Sequence, residues 1–454
     1  MIIRNLIYIL QSENYYLSRF LKFTYSHLSW WRLEKRQKIN WTAKARLIYA
    51  LTLLIVFLII AIFFLAYGLY GISIVFVLFP ALPIIISVSL WIIKPANYIL
   101  KQRIIRKAAN ILNRNKIIVI GITGSYGKTS AKEILHSILK EKYKTIKTPD
   151  NINTDIGIAE FILKNCAKLS EADVFIVEMG AYKEGEIKNI CNMVNPQHSI
   201  LTGINESHLE RFGSLEKIIK GKFELPEKTR KLSVLNLDDK NIRNNYSKFH
   251  IENYIKVSEK EARNIRVRDN FNGLSFDIGD MEVETSLLAK HNITLILLCV
   301  EIARKLGMQP EEIKTGIAKI KPISHRLEPI FNPSTNIMVI DDSYNGNFNG
   351  ILSGIDVLRR AKGKKIVLTP GLVELGSRTK IIHNKIGSIY AKEVDLVLLI
   401  KNDRMKYVIE GMENNNFKNY KTYKDTREAH NDLKNILKSG DAIIFQNDLT
   451  DNYF

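Results

Sequence analysis

Residues 47–93 read LIYALTLLIVFLIIAIFFLAYGLYGISIVFVLFPALPIIISVSLWII, forty-seven positions without one charged side chain. A single bilayer-spanning helix needs about 20 apolar residues. The block is therefore long enough for two, with a tight turn at Tyr67-Gly68-Leu69-Tyr70-Gly71. The expected helices are 47–67 and 72–93, with Pro80 and Pro83 kinking the second. Two alternatives are weaker. A buried helical pair in a soluble core seldom needs so long an unbroken apolar run, and a cleaved signal peptide would be shorter and start earlier.

Charge supports the lipid bilayer as the partner of residues 47–93. The chain of 454 residues carries 66 Lys and Arg against 46 Asp and Glu, a net +20. Residues 1–46 hold nine basic groups against Glu13 and Glu34, and residues 94–120 hold seven against none. The excess thus flanks the apolar block, where anionic headgroups lie. The turn is uncharged, so the positive-inside rule puts both ends in the cytoplasm. With the charge so assigned, and no zinc motif or recognition helix, a nucleic-acid partner is not expected. In the basic leader 1–46, YYLSRFLKF and LSWWRLEKR mix aromatic and basic residues. They fit interfacial helices or helices packed on the hairpin, with Trp30 and Trp31 as interface anchors. Residues 94–118 read as a basic linker. Cys166, Cys191 and Cys299 lie far apart, which gives no disulfide framework and suits a reducing compartment.

Beyond the block the pattern changes. KIIVIGI (116–122) is a β-branched run suited to a buried strand, GSYGKTS follows, and AKEILHSILKEKY reads as a helix. Strand, glycine-rich turn and helix are the setting of a phosphate-binding loop. Gly124 and Gly127 let the backbone curl, Lys128 would reach the β- and γ-phosphates, and the Thr129 hydroxyl would bind Mg²⁺. The strict G-x-x-x-x-G-K-[ST] pattern fails at Ile122; the run is G-x-x-G-x-x-G-K-T from Gly121. Further strands are expected at 173–180, 198–204 and 232–239, alternating with helices in a largely parallel α/β sheet. Ligands bind at the carboxyl ends of such strands. Glu178 and His208 fall at or just past those ends. They complete a Mg²⁺ set with Thr129, or they are surface residues.

These motifs, in this order, resemble the Mur ligase family of ATP-dependent amide ligases, most of all its D-alanyl-D-alanine-adding branch. The resemblance runs from about Val119 to the C-terminus. Gly121–Thr129 matches the phosphate loop, which makes Gly124, Ser125, Gly127, Lys128, Thr129 and Ser130 the implied ATP contacts. TPDNINTDIG (148–157) matches the next loop, with Ile158 in place of a proline. Glu178 in VEMG matches a metal-binding glutamate. Asn205, His208, Leu209 and Glu210 match N-x-x-x-x-H-L-[DE], whose histidine is a metal ligand. Lys222, fourteen residues on, falls where relatives carry a lysine that can be carbamylated to bridge metals; the alternative is an ordinary helix-surface lysine. His291-Asn292 matches the adenine-side motif. Arg326 in SHRLEPI matches the phosphate-facing arginine. IDDSYNGN (340–347) places Asp342 and Asn345 on the nucleotide side. ELGSRTKIIHNKIG (374–387) matches the substrate-side region, with His383 in H-x-x-x-G. Gly371-Leu372-Val373 and the terminal FQNDLTDNY depart from the family pattern.

The resemblance implies ATP and Mg²⁺ as cofactors, with Lys128, Glu178, His208, Lys222 and Arg326 as catalytic residues. Thr129, Glu178, His208 and Lys222 are the implied metal ligands. The implied reaction activates an acceptor carboxylate as an acyl phosphate and then forms an amide. D-Ala-D-Ala and a muramoyl-peptide precursor are the implied partners. Residues 1–118 match no UDP-binding domain, so the acceptor is either UDP-linked or lipid-linked. A nucleotide-dependent membrane scaffold is the alternative from another class. The expected architecture is α/β: leader 1–46, hairpin 47–93, linker 94–118, a P-loop-type parallel-sheet ATPase domain 119–322, and a smaller Rossmann-like domain 323–454 that closes over it.

Overall fold

The computed structural model describes residues 2–13, 15–26, 39–150, 152–207, 209–344 and 346–447. Trp30, Trp31, His208, Asn345 and most of the terminal FQNDLTDNY lie outside the described residues. The chain divides between Arg103 and Ile104 into two compact units.

In the first unit, helix Ala43–Tyr67 is capped by Thr42, whose hydroxyl accepts from the Ala45 N–H at 3.1 Å. It ends at Gly68, where φ is +60°, a conformation glycine adopts without steric cost. A 3₁₀ turn, Gly68–Ser73, leads into helix Ile74–Arg114. The hairpin is as expected, but its second helix is longer. It keeps Pro80, Pro83 and Pro95 inside one helix and continues through most of the expected linker 94–118. The reason lies in KQRIIRKAANILNR, which is rich in good helix formers. Its Ile104, Ile105, Ala108 and Leu112 recur at helical spacing and join the core of the second unit. Helices Ile2–Ser12 and Leu17–Ser26 pack on the hairpin: Leu6, Ile7, Leu10 and Phe20 cluster with Ile48 and Ile86. Of the two readings of the leader, its described part takes the packed one. Thr52 and Ser89 join the two long helices by a buried 3.0 Å hydrogen bond.

Among its described residues the second unit holds three sheets. The first contains β1 (Ile118–Thr123), β2 (Thr145–Lys147), β3 (Val174–Glu178), β4 (His198–Leu201), β5 (Leu232–Asn236) and β6 (Tyr254–Val257), all parallel, in the order β2-β3-β1-β4-β5-β6. Helices Lys128–Leu139, His291–Lys305 and Pro310–Ala318 cover one face. Helices Asp155–Lys164, Glu186–Val194 and Leu215–Glu227 cover the other. Both faces are therefore apolar, and Val174–Glu178 is buried at every position, as a central parallel strand requires.

A small antiparallel sheet follows: β7 (Ala262–Val267), β8 (Leu274–Ile278) and β9 (Met281–Thr285). Its strands are additional to those expected from the sequence. The last sheet comprises β10 (Glu328–Asn332), β11 (Ile337–Asp342), β12 (Lys365–Thr369), β13 (Leu396–Ile400), β14 (Tyr420–Tyr423) and β15 (Ala442–Gln446). Its order is β10-β11-β15-β12-β13-β14, parallel except at the β10–β11 edge.

Candidate functional site

The turn after β1 carries the phosphate-loop residues. A Cβ at Gly124 would sit 2.1 Å from the Thr202 hydroxyl, so only glycine fits between this loop and the end of β4. Gly127 has φ +76° and starts helix Lys128–Leu139. The loop thus meets a helix N-terminus, where N–H groups and the helix dipole favour an anion. The Lys128 ammonium folds back onto the Gly124 carbonyl at 2.9 Å. Burial, reinforced by Arg326, pulls its pKa below the ordinary lysine value, against the opposing pull of Glu178.

Because β1 and β3 are adjacent and parallel, Thr129 and Glu178 meet at their carboxyl ends. The Thr129 hydroxyl donates to Glu178 Oε2 at 3.0 Å. Arg326, from the segment before β10, reaches the same hydroxyl oxygen at 3.3 Å. His325 and Leu327 flank Arg326 with φ of +61° and +51°. This turn is held by His325 Nδ1 against Asp341 at 2.7 Å and by the His325 N–H donating to Glu328 at 3.1 Å. The Arg326 guanidinium lies 4.5 Å from the Tyr344 ring centroid. A cleft of about 570 Å³ opens beside Thr129 and Arg326, lined also by Pro149, Asp150, Ile323 and Tyr344.

Lys132 escaped the sequence reading. Its side chain is wholly buried, with Nζ 3.1 Å from Glu178 Oε2 and 3.3 Å from Asp150. Asn153, in the TPDNINTDIG loop, donates to the other oxygen of Glu178 at 3.3 Å. Burial alone would raise the Glu178 pKa. Lys128 and Lys132, with hydrogen bonds from Lys132 and Asn153, outweigh it and hold the carboxyl below its ordinary value.

Lys222 is no surface lysine. It is 2% exposed in helix Leu215–Glu227, its ammonium 3.5 Å from the Ala181 carbonyl just past β3. Burial first, then the neighbouring Lys128 charge, lowers its pKa to about 7, against the pull of Glu186, Glu224 and Glu178. Asp342 ends β11, where burial raises its carboxyl to about 8, with Arg326 and the Leu327 N–H opposing and Asp341 adding to the rise. His291, at the start of its helix, bonds Ser353 at 3.0 Å, and Asn292 beside it is buried. Ser125 and Ser130 border the loop, with the Ser125 hydroxyl 3.4 Å from the Asn205 carbonyl.

His383 has a structural task. Fully buried, its Nε2 accepts from the Leu372 N–H at 3.1 Å, and Nδ1 lies 2.7 Å from the Thr379 carbonyl. Burial lowers its pKa. A neutral ring protonated on Nδ1 therefore staples the loop 371–379. Gly387, one turn later, lets helix Met405–Glu413 approach; a Cβ there would lie 2.1 Å from the Val408 carbonyl.

Comparison with known proteins agrees with this arrangement. Residues 122–303 match the Mur ligase middle domain and residues 325–446 the Mur ligase glutamate ligase domain, together more than half of the chain. The UDP-N-acetylmuramoyl-tripeptide--D-alanyl-D-alanine ligase of Escherichia coli (strain K12) is 30% identical over 297 residues, 62% of this chain and 64% of that protein. The protein of the same name from Bacillus subtilis (strain 168) is 26% identical over 72% of each chain. The chain thus spans slightly under two thirds of the Escherichia coli relative's length. The crystal structure of MurF ligase from Thermotoga maritima in complex with ADP shares the fold, with a TM-score of 0.67 at 24% identity over 76% of this chain and 80% of that one. The chain belongs to the Mur ligase family.

Proposed function

We propose that the chain is a membrane-anchored, ADP-forming amide ligase. It joins an amino acid or dipeptide, D-Ala-D-Ala first among them, to the terminal carboxylate of a muramoyl-peptide cell-wall precursor. The observation that carries this reading is the convergence of Lys128, Thr129, Glu178 and Arg326 at one strand end, beside the cleft. The names of the relatives support the choice of dipeptide and acceptor.

The acceptor carboxylate oxygen attacks the ATP γ-phosphorus, and the bond to the β,γ-bridging oxygen breaks to release ADP. The amine nitrogen then attacks the acyl carbon, phosphate leaves, and the nitrogen loses a proton. Both steps crowd negative charge. Lys128 and Arg326 supply fixed positive charge there, and the loop N–H groups supply donors. The hard oxygen donors of Thr129 and Glu178 suit Mg²⁺, which when bound neutralises charge on phosphate and carboxylate. His208 and Lys222 complete the proposed metal set. A Lys222 amine with a pKa near 7 is neutral often enough at physiological pH to take up CO₂ as a carbamate. Asn292 and His291 face the adenine in this reading, and Asp342 and Asn345 the ribose and phosphates. Domains 119–322 and 323–454 shut over the acyl phosphate and exclude water.

The exposed apolar faces of the hairpin are proposed to span the cytoplasmic membrane with the catalytic unit on the cytoplasmic side. The same hairpin favours a second reading of the acceptor as lipid-linked. ADP release by detergent-purified protein with Mg-ATP and D-Ala-D-Ala tests both. UDP-linked and lipid-linked muramoyl tripeptide are compared as acceptors. Stimulation by neither would overturn the proposal.

A further inference from the structure

The part of the chain from residue 323 onward does more than contribute Arg326. Four contacts tie it to the short segment 205–211 of the middle domain. The Arg211 guanidinium donates from Nε to Glu374 Oε1 at 2.6 Å, with the two side chains 11% and 8% exposed. The Glu210 N–H points at the Glu374 carbonyl at 3.4 Å. Arg378 pairs with Glu206 at 3.2 Å. Asn205, buried, donates to Asn347 Oδ1 at 3.2 Å. These contacts bracket the segment from its first residue to its last.

Glu374 is built for this task at a cost. It is a non-glycine residue with φ +59°, a strained conformation that persists only where surroundings enforce it. Its carboxylate meets Arg211, whose guanidinium also stacks 4.2 Å from the Tyr182 ring centroid. Tyr182 follows Ala181, the residue whose carbonyl receives Lys222. The Glu374 backbone is fixed from the other side by the loop that His383 staples. A buried arginine–carboxylate pair is a directional, charge-assisted contact. Neutralising one partner removes this contact from a charge that stays buried.

We infer that Glu374 is a positioning residue: through Arg211 it holds residues 209–211 and, by way of Tyr182, the Ala181 carbonyl that meets Lys222. Arg378, through the more exposed Glu206, adds a weaker hold. This rests on the proposed function for its meaning, but its physical content is independent of it.

Hydrogen exchange of the full-length protein in detergent, read by mass spectrometry, tests it. Glu374→Gln keeps the shape and removes the charge. Exchange in the peptide covering 204–213 should rise about ten-fold, while the phosphate-loop peptide 121–130 stays as in the parent protein. Arg211→Gln should give the same signature, and the double variant should be no worse than either single one, since the pair acts as a unit. In turnover, Glu374→Gln should lower kcat at least ten-fold with little change in KM for ATP. Unchanged exchange at 204–213 in both single variants overturns the inference. Failure of the parent protein to release ADP would overturn the proposed ligase function while leaving the exchange difference to be read.

Discussion

Helix Ala43–Tyr67 and the strands β1 and β3 draw on the same residues, yet their surroundings are opposite. Ile120, Ile122, Phe175 and Ile176 are fully buried, whereas Leu65 is 84% exposed and Phe76, across the turn, is 85% exposed. The strands satisfy their apolar surface inside the protein. The hairpin does so only where the first two helices and its own seam cover it, and it leaves many large apolar side chains, Phe57, Leu65, Phe76 and Trp91 among them, exposed. In one region apolar sequence specifies a core. In the other it specifies an environment, and both hairpin helices have the length and hydropathy to cross a membrane.

Deleting residues 1–103 presses hardest on that contrast. The truncated chain should move from the membrane to the soluble fraction and keep its fold, because Ala108 and Leu112 remain in the second unit's core. Extending the deletion to residue 117 should destabilise it by about 2–5 kcal/mol through the cavities left. Membrane sedimentation and urea titration read the two effects, and a 104–454 protein that still sediments with membranes would break the comparison.

Next in size is the site itself. Lys128→Ala should slow ADP release by about 10²–10³-fold, on the scale of losing one preorganised electrostatic group. Its melting temperature without nucleotide should hold or rise, since a buried cation has gone. Near-parental turnover in a folded variant would refute the assigned role.

A paired truncation sharpens the contrast at single residues. Ile176→Ala, in the buried sheet, should cost about 3 kcal/mol in urea titrations. Leu65→Ala should change stability in detergent by less than about 0.5 kcal/mol. Equal costs would mean that the exposed face is buried after all.

A further effect concerns Lys222. Its folded pKa, near 7, lies below the unfolded value of about 10.4. Between those values the unfolded chain binds the extra proton, so stability rises with pH across this window by up to about 1.4 kcal/mol per unit. Lys222→Met should flatten that slope between pH 7 and 9. An unchanged slope would mean that burial does not depress the amine.

The residues show where sequence was informative and where it was not. The phosphate loop and Glu178 were legible because β-branched runs end in glycine or acid at strand termini. Lys132 was missed, although a signal existed. It lies three and seven residues before Leu135 and Leu139, on the core-facing side of its helix, and a lysine there must find a buried partner. The partner, Glu178, is 46 positions away, and only the β1–β3 pairing brings them together. Arg211 and Glu374 were hidden for the same reason across 163 positions. The small sheet β7–β9 was missed because its first strand is mostly exposed and its alternation is weak. The 94–118 stretch was misread as a linker because its basic residues masked the helical spacing of Ile104, Ala108 and Leu112.

One measurement bears most directly on the whole account: ADP release by the full-length protein with Mg-ATP, D-Ala-D-Ala and a muramoyl tripeptide acceptor, each omitted in turn. Release should need all three and give a product heavier by the dipeptide less one water. ATP turnover indifferent to both acceptor and dipeptide would contradict it.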